Sequence, residues 1–218
     1  MKASFAIAVK NIGREIDKND LSYLADTGEI LSHGVTHTNL VKLLRCGHTD
    51  LVYSELMDSK IFLEKLLDTN VEGFVYPYGA YGGLLKRLVK RAGYRYARTI
   101  DLPSIAPIIR DKYAISVTMV DYKPTTLQIL RSLTKLHFEL SNILLDYSIM
   151  KLLVGLFSKY MYLHDHASIL RLMLVFLKRL GEYVKCYNRT FIISLVFHGN
   201  RFSEDSFKIF RTILNYIK

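Results

Sequence analysis

The chain has 218 residues, with 30 Lys and Arg against 20 Asp and Glu, for a formal charge of +10. Half the residues are apolar, 23% are charged, and there are 12 Gly and 4 Pro, a balance that excludes disorder, collagen and low-complexity sequence. Two cysteines, Cys46 and Cys186, are too few for a disulfide scaffold or a multi-cysteine zinc module.

The elements follow in chain order. Ser4–Val9 is an apolar run with the length of a buried strand, and it lacks the longer core and cleavage site of a signal peptide. Asn19 is placed to cap a helix through Leu21, Leu24 and Ala25 that stops at Gly28. Glu29–Ser32 is a second strand and runs directly into His33. Thr49 or Asp50 opens a long helix with an apolar stripe of Leu51, Leu56, Leu63, Leu66 and Leu67. Val71–Tyr76 is a third strand, ending at Pro77. Leu84, Leu85, Leu88, Val89 and Ala92 then recur at helical spacing, opposite Lys86, Arg87, Lys90 and Arg91, and Gly93 ends that helix. Tyr94–Thr99 and Tyr113–Met119 are further strands. This alternation predicts βα units around a mostly parallel sheet or barrel.

From Thr125 to Tyr187 the pattern is mainly helical, with breaks expected near Ser141, at His164–His166 and at Gly181. The most apolar stretch, Leu140–Leu163, is interrupted by Asp146, Lys151 and Lys159, whereas a membrane-spanning helix needs about 20 predominantly apolar residues. No transmembrane segment is expected, and the chain as written reads as cytoplasmic. Phe191–Phe197 is the clearest strand and ends at His198, and Ser203 opens a last helix with Glu204 and Asp205 in its first turn.

Three clusters follow strand ends, the edge where βα folds gather their chemistry. His33 and His37 are four residues apart, a spacing that on a helical turn brings two imidazoles to one metal ion. In Tyr76-Pro77-Tyr78-Gly79, proline fixes its own φ and glycine opens backbone angles closed to other residues. The turn can therefore aim the Tyr78 N–H at an oxyanion, or be an ordinary strand-to-helix connection. His198 is a candidate proton donor, with an unperturbed imidazole pKa of about 6.5. His164-Asp165-His166 reads as a polar loop between helices.

The order of these motifs resembles the polysaccharide deacetylases of carbohydrate esterase family 4, the NodB-homology domain. Glu29-Ile30-Leu31-Ser32-His33-Gly34-Val35-Thr36-His37-Thr38-Asn39-Leu40 is similar to that family's strand and metal-binding histidine pair. Phe74-Val75-Tyr76-Pro77-Tyr78-Gly79-Ala80-Tyr81 resembles its next motif, Ala92-Gly93-Tyr94-Arg95-Tyr96-Ala97 the segment after it, and Leu195-Val196-Phe197-His198 its final one. The resemblance implies a distorted (β/α) barrel, residues 1–218 as a single domain, and a helical insertion near 125–187. It implies His33 and His37 as ligands of a divalent metal, zinc, and Tyr78 as the oxyanion donor. Tyr76, Pro77 and Gly79 would shape the substrate groove, and His198 would be the general acid. The reaction implied is removal of N-acetyl groups from an amino-sugar polymer or related amide, with an acetylated carbohydrate as the partner.

The family's first motif is a Thr-Phe-Asp-Asp-Gly run, and this chain has none. Its opening, Lys2–Ile7, resembles the family's second strand, so the first βα unit is expected to be missing, with a motif and any signal peptide for export lying upstream. Asp101, Asp121 and Asp165 are the substitutes considered for the third ligand. The competing expectation is a non-catalytic descendant that binds glycan or protein. A third treats the six cationic residues between Lys86 and Arg98 as an anion-binding surface, although no nucleic-acid motif accompanies them. Oligomeric state is left open.

Overall fold

The computed structural model describes residues 3–101, 111–117, 119–121, 155, 159, 163, 165–187, 195–198 and 202–217. The chain packs as two compact units, Met1–Ile100 with Ile109–Ile115, and Asp101–Ile108 with Ser116–Lys218.

The first unit carries four parallel strands, β1 (Ser4–Ile7), β2 (Glu29–Ser32), β3 (Gly73–Val75) and β4 (Tyr96–Arg98), ordered β1-β2-β3-β4. Helix α1 (Lys18–Thr27) links β1 to β2, α2 (Leu40–Arg45) and α3 (Thr49–Leu67) link β2 to β3, and α4 (Gly83–Arg91) links β3 to β4. Strands that pair in sequence order through helical crossovers wind in one direction, as barrels do. The mixed α/β class with a parallel sheet is thus the one expected. Ile30, Leu31 and Ser32 are all buried, because helices cover both faces of a parallel strand. Phe74, Tyr76, Tyr94, Leu21, Leu56 and Leu63 are core side chains, each aliphatic or aromatic one stabilising by about 1.5–3 kcal/mol.

Several expectations need correction. Asp17, not Asn19, caps α1, its carboxylate accepting the Asp20 N–H at 2.8 Å. In α3 the buried stripe is Val52, Leu56, Ser59 and Leu63, while Leu51 is 55% exposed. Alternation among near-adjacent apolar residues did not reveal which of Leu51 and Val52 faces the sheet. Helix α2 went unforeseen, since six residues give too short a period to read. Of the strand expected over Tyr113–Met119, Ile115 forms a single bridge to Arg98, and Met119 begins a separate strand, Met119–Val120.

Among its described residues, the second unit holds a parallel pair, β5 (Met119–Val120) with β6 (Leu195–Val196), and helices that include α5 (His166–Tyr187) and α6 (Glu204–Tyr216). Ile169, Leu170, Met173, Phe176, Leu177 and Leu180 of α5 pack with Ile213 of α6. Helix α6 starts where expected, with a Ser203–Ser206 capping box. Gly181 does not break α5. A Cβ there would stand 2.5 Å from the Tyr216 hydroxyl, so glycine permits the close approach of α6. His166 is helical rather than part of a loop, and His164 and the break near Ser141 lie outside the described residues. Among the described residues no helix is long and apolar enough to cross a membrane.

Candidate active site

Both candidate groups of the first unit stand at the C-terminal edge of its sheet. The β2 register carries the chain to His33, whose N–H donates to the Ile7 carbonyl at 2.9 Å. Its Nδ1 lies 2.7 Å from the Val75 carbonyl at the end of β3. A carbonyl can only accept, so Nδ1 carries the proton and Nε2 has the lone pair that a metal requires. The segment from His33 to His37 is a loop, not the helical turn that the spacing suggested, and His37 adopts a left-handed φ of 57°. The loop still brings the two imidazoles together, with ring centroids 4.5 Å apart.

The loop is held on every side. Val9 and Lys10 donate to the Gly34 and Val35 carbonyls at 3.1 and 2.9 Å. From α3, the Glu55 carboxylate accepts the Val35 and Thr36 N–H groups at 2.8 and 3.0 Å and the Thr36 hydroxyl at 2.6 Å. Beneath it, buried Ser32 and Ser59 share a hydrogen bond of 2.7 Å, and the Tyr94 hydroxyl donates to the Leu56 carbonyl. Burial pushes the Tyr94 hydroxyl up to about 12, so this network stays neutral. Glu55 was missed from the sequence, although an acidic residue on a helix following a histidine loop was a usable signal.

The Pro77–Gly79 turn follows β3. Tyr78 has φ 59° and its side chain is 62% exposed, with its ring 4.8 Å from that of His37. Pro77 and Gly79 are buried, Gly79 has φ 63°, and its carbonyl accepts the Thr99 hydroxyl at 2.9 Å. Tyr76 is fully buried, its hydroxyl donating to the Tyr113 carbonyl at 2.9 Å, so its side chain supports the turn from the core instead of lining a groove. A groove of about 520 Å³ opens beside this pair, lined by His37, Tyr78, Lys10, Thr38, Asn39 and Lys42 among others.

The second unit carries its own cluster. Asp121 follows β5, donates its N–H to the Val196 carbonyl, and has a fully buried side chain. Its Oδ1 is 2.6 Å from His198 Nδ1, and its Oδ2 accepts the His198 N–H at 2.6 Å. Oδ2 also lies 3.2 Å from His166 Nε2. Burial alone would raise the Asp121 pKa. The hydrogen bonds from His198, assisted by His166, outweigh it and hold the carboxyl below its ordinary range. An ionised Asp121 fixes His198 with Nδ1–H toward the carboxylate, which leaves Nε2 as the nitrogen that exchanges protons. The His198 side chain is 39% exposed. Asp121 is thus a partner of histidines in this structure, and Asp165 is exposed and caps α5 through the Ser168 N–H. Among the described residues no three His, Cys, Asp or Glu side chains gather as a metal-binding group.

A parallel βα sheet thus carries an imidazole pair and a proline–glycine turn at its C-terminal edge. Residues 1–97 match the sequence profile of the polysaccharide deacetylase family. Among solved structures, a Mycobacterium smegmatis protein classed as a polysaccharide deacetylase is similar at 12% identity and a TM-score of 0.56, covering 99% of this chain and 65% of its own. That likeness is one of fold. A polysaccharide deacetylase from Bacillus cereus matches at 22% identity (TM-score 0.47, covering 54% of this chain and 37% of that one). The Streptococcus pyogenes deacetylase PplD, solved with acetate, matches at 19% (TM-score 0.48, covering 54% and 52%). The chain therefore spans well under two-thirds of the length of the latter two. No curated protein matches the sequence.

Proposed function

We propose that the protein is a metal-dependent hydrolase that removes N-acetyl groups from an amino-sugar polymer or related amide. The observation that carries the reading is the His33–Val75 hydrogen bond. It presents Nε2 as a ligand beside His37, within a stretch of polysaccharide deacetylase sequence. Two imidazole nitrogens, one with its tautomer fixed by a carbonyl, suit zinc or a similar divalent ion. Such an ion supplies Lewis acidity and a water that ionises near pH ~7.

The chain's own residues account for the rest. The Tyr78 N–H stabilises the oxygen that gains charge when water adds to the acetyl carbonyl, and Pro77 and Gly79 hold the backbone angle that this needs. His198, its orientation fixed by Asp121, gives a proton to the amine as the C–N bond breaks. Water and amide enter, and acetate and free amine leave. Residues 1–218 act as one catalytic domain in this reading, with an acetylated carbohydrate as substrate.

Metal analysis and acetate release from N-acetylated chito-oligosaccharides test it. Zinc near one per chain is expected, lost in His33→Ala and His37→Ala, with acetate release abolished in both. His198→Ala is expected to keep the metal and lose about 10²–10⁴ in rate. Protein that binds no divalent ion and releases no acetate would overturn the reading in favour of a glycan-binding role.

A further inference from the structure

We propose that His166 is a positioning residue for His198. By sharing the Asp121 carboxylate it limits how tightly Asp121 holds the His198 imidazolium, and so sets the pH range over which His198 can give up a proton. The inference rests on the proposed role of His198 as proton donor.

The three groups form one hydrogen-bonded unit around a buried carboxylate. Asp121 is fully buried, and both its oxygens are engaged, Oδ1 by the His198 ring and Oδ2 by the His198 N–H and by His166 Nε2. An ionised carboxylate only accepts, so His166 must present Nε2–H. Its Nδ1 is buried with no hydrogen-bond partner. Its contact with the carboxylate is therefore made through Nε2 alone.

A hydrogen-bond donor on Oδ2 draws charge from the oxygens that stabilise a protonated His198. The proton affinity of His198 is therefore lower with His166 than without it. The direction is the same whether His166 is neutral or cationic. His166 is itself held in place, as the first residue of α5 and edge-on to Phe202 with ring centroids 5.1 Å apart. Among the described residues, Asp121 from the β5 end and His166 from α5 are the titratable groups bonded into this cluster. Neighbouring Asp165 is exposed and its carboxylate is taken by Ser168, while Phe197 and Phe202 contribute only apolar rings.

The test is an NMR titration of the His198 ring in the full chain, for wild type, His166→Phe, His166→Gln and Asp121→Asn. Removing the donor with Phe is expected to raise the His198 midpoint by about half to one pH unit. Gln, whose amide can still donate to Asp121, is expected to return it to near the wild-type value. Asp121→Asn is expected to lower the midpoint, which shows that the probe senses the cluster. If Phe disrupts the fold, seen as lost amide dispersion, His166→Met gives the same comparison.

A midpoint that moves with Asp121→Asn but not with the Phe or Met variant would overturn the proposal and leave His166 as packing. The titration needs no turnover. A midpoint that moves as expected in a protein releasing no acetate would sink the deacetylase reading while leaving the His166–His198 coupling in place.

Discussion

Glu55 offers the sharpest test of how the imidazole pair is built. Its carboxylate takes three hydrogen bonds from Val35 and Thr36, the residues between the two histidines, and the site is half-buried. Hydrogen bonds to a charged group each contribute about 1.5–3 kcal/mol, and the exposure of Thr36 reduces its share. Glu55→Ala should therefore cost about 2–3 kcal/mol. Glu55→Gln keeps one neutral acceptor for the two N–H groups, and should cost about 1 kcal/mol.

At about 2–4 °C per kcal/mol for a chain of this size, the Ala variant should melt roughly 4–12 °C below wild type by circular dichroism. The same loop orients His33 and His37, so under the proposed metal-binding role zinc affinity, measured by chelator competition, should fall about 10–100-fold in the Ala variant. If stability falls while zinc affinity holds, Glu55 is a brace for α3 with no bearing on the histidines. If neither changes, the account of the loop is wrong.

Three further outcomes follow from particular contacts. Asp121 has a folded pKa below its unfolded value of about 3.9, so its stabilisation is complete above that value and is lost as pH falls through the folded one. Urea unfolding between pH 6 and 3 should thus show wild type losing more stability than Asp121→Asn, and parallel curves would contradict it. Gly79→Ala would force an L residue to φ 63° and drive a Cβ into the Ile100 side chain, a destabilisation of about 2–5 kcal/mol readable in the urea midpoint. Tyr94→Phe removes the buried hydroxyl bonded to the Leu56 carbonyl and should lower stability by about 1 kcal/mol, with no change beyond error refuting a structural role for that bond.

What was legible in the sequence was local. The run Glu29–Ser32 into His33 could be read because a buried parallel strand is a continuous apolar run, and the Pro77–Gly79 turn because its residue types restrict the backbone. The sharing of Asp121 could not be read in that way. His166 lies 45 residues from it and His198 lies 77, and neither separation leaves a periodic trace. Asp121 stood in the sequence as one of three interchangeable aspartates, and only the pairing of β5 with β6 singles it out. His166 was hidden by the opposite error, since a polar triplet between apolar stretches imitates a loop even where one member begins a helix.

Backbone strain sets the two candidate loops apart from the rest of the described fold. Among the described residues, His37, Asp68 and Tyr78 are the non-glycine residues with positive φ, a conformation costing roughly 1–3 kcal/mol each. Asp68 has an ordinary explanation, as the left-handed residue that ends α3. His37 and Tyr78 end no α-helix, and their rings are 4.8 Å apart. Each is flanked by groups that leave the chain little alternative: Glu55 and the Val9–Lys10 turn for the histidine loop, and Thr99 with buried Tyr76 for the proline turn. Two independent loops held in a costly conformation at one spot on the sheet edge argue that the scaffold fixes this arrangement before any ligand arrives. Glycine in place of Tyr78 would adopt this φ without cost, but without the ring beside His37.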